Sequence, residues 1–272
     1  MAGWSSDIPR LPYEIRGSAV GPPIVLVPGG LSGWDSWKPH AEILSQRHKV
    51  IRVQLLNMAF AEEGRTPGPG YSLRSESDAL KNTLDSLWLG KIDLVGWSHG
   101  GAVSLDFALN HTDMVRTLTL IEPAAYWVGS GHKAYDDEKK TFAELFKSFH
   151  DPPTEEDLIG FVKLNHLAPP GKDPRELPKW PVWNSLKTSL LSLHTVIEHT
   201  DDIARLRKLR EMPMLLVKGK DSVGFNPGGT DLISEYTGGK AHMLVLPDSH
   251  VCHIVAMDQF IGALEKFLDR SV

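Results

Sequence analysis

Short unbroken apolar runs alternate along this chain with stretches in which apolar residues return every three or four positions. Residues 24–27 (Ile-Val-Leu-Val), 50–55, the run from Ile92 to Gly96, and 117–121 have the length and β-branched content of strands buried on both faces. Residues 11–15 suggest a first strand ahead of them. Between the runs lie helical patterns. Trp37, Ala41 and Leu44 share a face within 37–47; Leu73, Leu80, Leu84 and Leu87 share one within 72–87; and 101–110 continues the series. The Gly/Pro-rich stretch 57–70 reads as a loop. From about residue 124 to 212 the rhythm changes. Charged helical stretches at 134–149 and 155–164 lead to a Pro-rich connection at 169–181 and a helical pattern at 185–199. Strand-like runs resume at 214–217 and 241–246, and a helix over 256–268 closes the chain. Strands alternating with helices predict an α/β fold, a mostly parallel central sheet flanked by helices. The interruption predicts an inserted helical lid: residues 1–123 and 212–272 form the core and 124–211 the lid.

Composition narrows the possibilities. At 272 residues and 41% hydrophobic, the chain can build one large α/β domain with an insertion. A net charge of -5 without a basic block argues against a nucleic-acid partner. No apolar run approaches the roughly 18 to 20 residues of a membrane span. Residues 1–10 lack the apolar core of a signal peptide, and the single Cys252 excludes an intramolecular disulfide, so a cytoplasmic location is expected. Neither a His-Glu-x-x-His metal pattern nor a phosphate or dinucleotide loop occurs, so no metal or cofactor is expected.

The chemistry concentrates at Gly96-Trp97-Ser98-His99-Gly100, between an apolar strand and a helical pattern. Gly-x-Ser-x-Gly in that context is a sharp strand-to-helix turn with a serine at its tip. Side chains at Gly96 or Gly100 would collide with the neighbouring helix or strand, while the helix N-terminus favours negative charge developing nearby. A serine hydroxyl is a weak nucleophile at neutral pH, so it needs a histidine to take its proton and a carboxylate to orient that histidine. Of twelve histidines, His250 follows the last strand, where a loop returns to the strand ends; His253 falls where the helix begins. Cys252 reads as a small buried hydrophobe rather than a nucleophile. The loop Pro28-Gly29-Gly30-Leu31 ends a buried strand and can bring backbone N–H groups against an oxygen. The lid aromatics Tyr126, Trp127, Phe142, Phe146, Phe149, Phe161, Trp180 and Trp183 either line a pocket or form the lid's own core.

From about Tyr13 onward, these features resemble the α/β-hydrolase fold enzymes. The resemblance rests on the Gly-Trp-Ser-His-Gly turn, the Pro28-Gly29-Gly30 loop, and His250 followed by a last helix containing Phe260. It implies a backbone oxyanion hole from Gly30 and His99. Most members carry the acid in a Gly-x-x-Asp pattern after the strand corresponding to 214–217; here Gly219-Lys220-Asp221-Ser222 puts Ser222 at that place and Asp221 one residue early. Another group carries it one strand earlier, about 24 residues beyond the nucleophile. Glu122 stands there, at a strand end where a carboxylate without a role would be costly to desolvate. Glu122 is therefore the preferred acid and Asp221 the alternative.

A narrower similarity is to zearalenone lactonases, through the Glu position, the Pro-x-Gly-Leu form of Pro28–Leu31, and Pro181-Val182-Trp183 in the lid. It implies Trp183 against an aromatic macrocyclic lactone and ring opening as the reaction; Leu31 and Trp183 are the expected substrate contacts. The function expected is that of a serine hydrolase cleaving a small apolar or aromatic carboxylic ester or lactone through an acyl-enzyme. The alternatives are a C–C bond hydrolase or cofactor-free perhydrolase on the same fold, or a non-catalytic hydrolase-like receptor.

Overall fold

The computed structural model describes residues 9–271. The first eight residues, which carry most of the reading of the N-terminus, lie outside that range. Strands β1 (Tyr13–Arg16), β2 (Ile24–Val27), β3 (Val50–Val53), β4 (Ile92–Trp97), β5 (Val115–Ile121), β6 (Met214–Gly219) and β7 (His242–Leu246) form one sheet in the order β1-β3-β2-β4-β5-β6-β7. Only β1 runs antiparallel to its neighbour; every other pair is parallel, as expected. Parallel neighbours require crossovers, and the helices between strands supply them: α1 (Lys38–Leu44), α2 (Leu56–Glu62), α3 (Leu73–Ser86), α4 (His99–Asn110), α5 (Lys133–Ser148), α6 (Glu155–Leu164), α7 (Trp180–Ser185), α8 (Thr195–Glu198) and α9 (Phe225–Tyr236); α10 (Cys252–Val255) and α11 (Met257–Arg270) follow the last strand. Among the described residues, no helix is long and apolar enough to cross a membrane.

Alternation along the strands divides the interior into two cores. Val25 and Val27 of β2 pack in one with Leu80 and Leu84 of α3 and Val103 and Phe107 of α4. Ile24 and Leu26 point the other way, into a core with Leu44 of α1 and Phe260 and Leu264 of α11. Successive side chains on a strand face opposite sides, so a continuous apolar run is what a sheet covered on both faces demands. Helix α3 begins where the pattern predicts: Ser72 caps it, its hydroxyl accepting from the Ser75 N–H while Ser75 returns the bond.

Register then aligns the strand ends. Val27 pairs with Gly96, Trp97 with Ile121, Ile121 with Val217, and Gly219 with Leu246. The residues that follow β2, β4, β5, β6 and β7 consequently emerge level along one edge. The strand order also reverses between β2 and β4, and in open parallel sheets ligands bind in the crevice at such a point.

Two local expectations change, and one unread segment gains a helix. The stretch 57–70 is not all loop, because α2 covers Leu56–Glu62. Its first N–H groups, on Leu56 and Asn57, are accepted by the buried Glu76 carboxylate at 2.7 and 2.9 Å, a cap supplied from α3 that no local pattern announces. Residues 185–199 are not one helix but a 3-10 segment, Lys187–Ser192, followed by the single turn of α8, and α7 starts inside the Pro-rich connection and ends at Ser185. The segment between β6 and β7 carries α9, although Asn226-Pro227-Gly228-Gly229 lies in its first turns. Those glycines face Tyr135 and Phe225: a Cβ on Gly228 would lie 2.0 Å from Tyr135 Oη, and one on Gly229 2.5 Å from Phe225 Cζ.

Helix α4 sits so close to the sheet that a Cβ on Gly100 would lie 2.3 Å from the Pro28 carbonyl oxygen and 2.6 Å from that of Val27. At Gly262, inside α11, the same position is open space. Gly100→Ala should therefore cost ~1–3 kcal/mol of unfolding free energy. Gly262→Ala should add ~0.5–1 kcal/mol, because alanine loses less backbone freedom in a helix. Urea unfolding of both variants checks the contrast; equal effects would mean that α4 does not press on the sheet.

Candidate active site

The chain leaves β4 at Trp97 and enters α4 at His99, so Ser98 alone must make the turn. It does so with φ 54° and ψ −117°, a conformation that L-residues rarely adopt. The elbow closes because its flanking residues lack side chains: a Cβ on Gly96 would lie 2.3 Å from Ser104 Oγ and 2.5 Å from the Gly100 carbonyl. Two bonds hold the tip from behind. The Ser98 carbonyl accepts from the Ala102 N–H inside α4 and, also at 3.0 Å, from the Ala124 N–H on the strand-exit segment.

Glu122 follows β5, and it too has a positive φ, 41°, as the chain turns out of the sheet. The carboxylate has no exposed surface. Both of its oxygens are engaged: Oε1 accepts from the Gly219 N–H at 2.8 Å and Oε2 lies 2.7 Å from His250 Nδ1. Burial alone would raise the Glu122 pKa. The hydrogen bond and charge of His250, with the Ser222 hydroxyl and the Gly219 amide, outweigh it and hold the carboxyl below its usual range. Asp221 does something else. Its side chain is exposed, and its backbone N–H donates to the Asp248 carbonyl at 3.1 Å, tying the β6 exit to the loop that carries His250. That loop crosses so close to β6 that a Cβ on Gly219 would lie 2.4 Å from the Ser249 carbonyl. From the other side, the Trp97 indole donates to the His250 carbonyl at 2.9 Å.

Ser98, His250, Gly29, Gly30, Leu31 and His99 line one cavity. Among the described contacts, Ser98 and His250 share it without a mutual hydrogen bond. The N–H of His99 is a first-turn donor of α4, without an intrahelical acceptor by geometry. The Gly30 carbonyl is held by Asn57 Nδ2 at 2.8 Å and the Gly29 carbonyl by the Ser32 N–H, so both peptide planes around Gly30 are fixed. The rest of the wall is largely apolar: Tyr126, Phe142, Phe146 and Phe161 from the insertion, with Leu167, Leu193 and Val196. The structure does not bring Trp180 and Trp183 to this wall. Both are buried behind it, in a cluster with Leu158, Val162 and Leu190 that shares Leu31, Phe161 and Leu193 with the wall. Cys252 is buried beneath the site, where burial first and the Glu122 charge second push its thiol up to about 12, far from a thiolate. Asp106, His199 and Asp201 cluster elsewhere with metal-ligand spacing, but Arg74 and Arg205 already pair with Asp106 and Asp201 and supply the positive charge a metal would.

Comparison with known proteins gives this geometry a family. A family description reading alpha/beta hydrolase fold matches residues 22–257. The chain belongs to that family. A 2-hydroxy-6-oxo-2,4-heptadienoate hydrolase of Pseudomonas putida is 38% identical over 104 residues, 37% of either chain. A putative carbamate hydrolase RutD of Caulobacter vibrioides is 31% identical over 113 residues, 41% of either chain. These matches span about two-fifths of the relatives' lengths. Among solved structures, a hydrolase from Pseudomonas aeruginosa PA01 aligns with TM-score 0.76 at 23% identity, covering 95% of this chain and 94% of that one. The enol-lactonase from Burkholderia xenovorans LB400 aligns with TM-score 0.67 at 20% identity, covering 95% and 96%. At those identities the likeness is one of fold.

Within this α/β-hydrolase frame, several residues around the site carry no local sequence signal. Asn57 stands 27 positions from the Gly30 carbonyl it holds, and Asn165 and Asn226 reach the cavity from the insertion and from α9. Trp97 was visible only as a spacer in the turn motif. Only tertiary contact assigns these residues a place.

The two candidate acids make opposite demands. Glu122→Gln replaces the carboxylate that orients His250 with an amide and should lower kcat by ~10³- to 10⁴-fold. Asp221→Asn, which leaves the backbone bond to Asp248 in place, should stay near the wild-type rate. Ester-hydrolysis kinetics on the two variants decide, and the reverse ranking would transfer the acid to the β6 loop.

Proposed function

We propose that the protein is a serine hydrolase that cleaves a carboxylic ester or lactone through an acyl-enzyme, with Ser98 as nucleophile, His250 as base and Glu122 as acid. The observation that carries this reading is the 2.7 Å bond between Glu122 and His250, facing the cavity that holds Ser98. Glu122 engages Nδ1, which leaves Nε2 as the basic nitrogen. Ser98 Oγ attacks the carbonyl carbon and its proton passes to His250. The oxyanion is held by the backbone N–H groups of Gly30 and His99. Collapse expels the alcohol, protonated by His250, and water activated by the same imidazole then releases the acid. With a lactone, the expelled alcohol stays attached and the product is a hydroxy acid.

The substrate expected is small and apolar or aromatic, because Leu31, Tyr126, Phe142, Phe146 and Phe161 dominate the wall. The insertion 124–211 serves as a lid in this reading, since it supplies four of those five side chains. The partial match to a 2-hydroxy-6-oxo-2,4-heptadienoate hydrolase supports a second reading, hydrolysis of a C–C bond by the same residues.

Steady release of p-nitrophenol from short-chain esters is expected, and Ser98→Ala should lower kcat by ~10⁶-fold. A fluorophosphonate should label Ser98, located by peptide mass spectrometry. Retained turnover in Ser98→Ala, or labelling at Cys252, would sink the assignment. Turnover of a 2-hydroxy-6-oxo-dienoate without ester turnover would select the C–C reading, and tight binding without turnover a receptor.

The lid aromatics should divide by position. Phe146→Ala opens the cavity wall and should shift acyl-chain preference towards longer esters. Trp183→Ala removes a buried side chain from the cluster behind that wall and should cost ~3–5 kcal/mol with preference unaltered. Thermal unfolding and a chain-length series measure both; exchanged phenotypes would place Trp183 against substrate after all.

A further inference from the structure

The proposed chemistry uses the backbone of His99 and leaves its imidazole unexplained. That side chain is 2% exposed and lines the cavity shared by Ser98 and His250. Neither Nδ1 nor Nε2 has a hydrogen-bond partner among the described residues. A buried polar ring with both nitrogens unsatisfied is costly, and an apolar side chain of similar volume would fill the place without that cost. Burial holds its pKa down to about 4, so the ring is neutral and presents one donor and one acceptor.

The surroundings keep this ring beside the reacting centre. It adjoins the nucleophile in sequence and packs against the oxyanion loop in space: a Cβ on Gly30 would lie 3.3 Å from His99 Nδ1 and 2.4 Å from Leu193 Cδ2. Elsewhere on the same wall, the buried Asn226 Oδ1 also lacks a partner. The cavity is thus apolar in bulk, and two of its lining residues carry unsatisfied hydrogen-bonding groups, the arrangement by which a pocket selects an oriented ligand.

We propose that the His99 imidazole is a specificity-determining group that hydrogen-bonds a hydroxyl or keto oxygen carried by the substrate close to its scissile carbonyl. The substrate class becomes an apolar ester or lactone oxygenated next to the reacting bond, rather than a plain hydrocarbon ester. This rests on Ser98 being the nucleophile. A pocket built to bond an oxygen disfavours the analogue that lacks it, because the pocket's own polar group is then left unpaired.

Arylboronic acids test both levels, since boron accepts the Ser98 oxygen to form a reversible tetrahedral adduct as the hydroxyl proton passes to His250. Inhibition constants would be compared for hydroxyphenyl- and methylphenylboronic acids, matched in size, at the 2-, 3- and 4-positions. In the wild type, at least one hydroxy isomer should bind about tenfold tighter than its methyl counterpart. In His99→Phe and His99→Met that ratio should collapse towards one. In the wild-type protein labelled with ¹⁵N-histidine, the His99 ring nitrogens should shift with the preferred hydroxy compound and not with its methyl match. Equal binding of all three pairs, or a preference that survives in the variants, overturns the role of His99 and leaves Ser98 standing. Failure of every boronic acid to bind removes Ser98 as nucleophile, and this proposal with it.

Discussion

A carboxylate with no access to water must find partners for its oxygens inside the protein, and Glu122 finds them on two other chain segments. Gly219 at the end of β6 and His250 beyond β7 each take one oxygen, so three successive strand exits are bound at one point. Breaking such an arrangement by removing one partner leaves an uncompensated buried charge, which costs far more than the pair contributes. The same bond that fixes the imidazole therefore also fixes the loop. Trp97 completes the tie, because its indole holds the His250 carbonyl from within the Gly96–Gly100 turn.

The strain in the site is local and has a visible counterweight. Ser98 and Glu122 both occupy positive φ, one at the exit of β4 and one at the exit of β5. Neighbouring parallel strands in register put these two turns side by side, and the Ser98 carbonyl bonds Ala124 across the gap. Strained backbone persists where surrounding structure over-determines it. Here the determinants are the Gly96 and Gly100 contacts, which leave no room for side chains, and the buried acid, which cannot be solvated elsewhere.

The insertion between β5 and β6 supplies the apolar side of the cavity, yet its aromatics do two different jobs. Tyr126 and Phe142 pack into the core while reaching the cavity; Trp180 and Trp183 pack among Leu158, Val162 and Leu190, behind the wall rather than on it. One face of a helix can serve a wall and another a core, so residue type does not sort them. Position on the helix relative to its neighbours does. The corrected place of Trp183 follows from this, since α7 turns it towards α6 rather than towards Ser98.

Much of the fold was legible in the sequence because the signals were local and repeated. Apolar runs of strand length separated by helical periodicity are enough to specify a parallel sheet covered on both faces, and Gly96-Trp97-Ser98-His99-Gly100 carries its turn in its own glycines. The resemblance made Glu122 the first choice over Asp221, and three-dimensional contact is what separates a carboxylate 2.7 Å from His250 from one left exposed to solvent. Helix α2 escaped because its cap, Glu76, comes from another helix, and α9 carries Gly228 and Gly229 in its first turns, where only Tyr135 and Phe225 packed against them give those glycines a place. The orphaned ring of His99 was invisible for the same reason. A sequence shows which polar groups exist, but whether each finds a partner is decided by residues distant along the chain, and only tertiary structure brings them within reach.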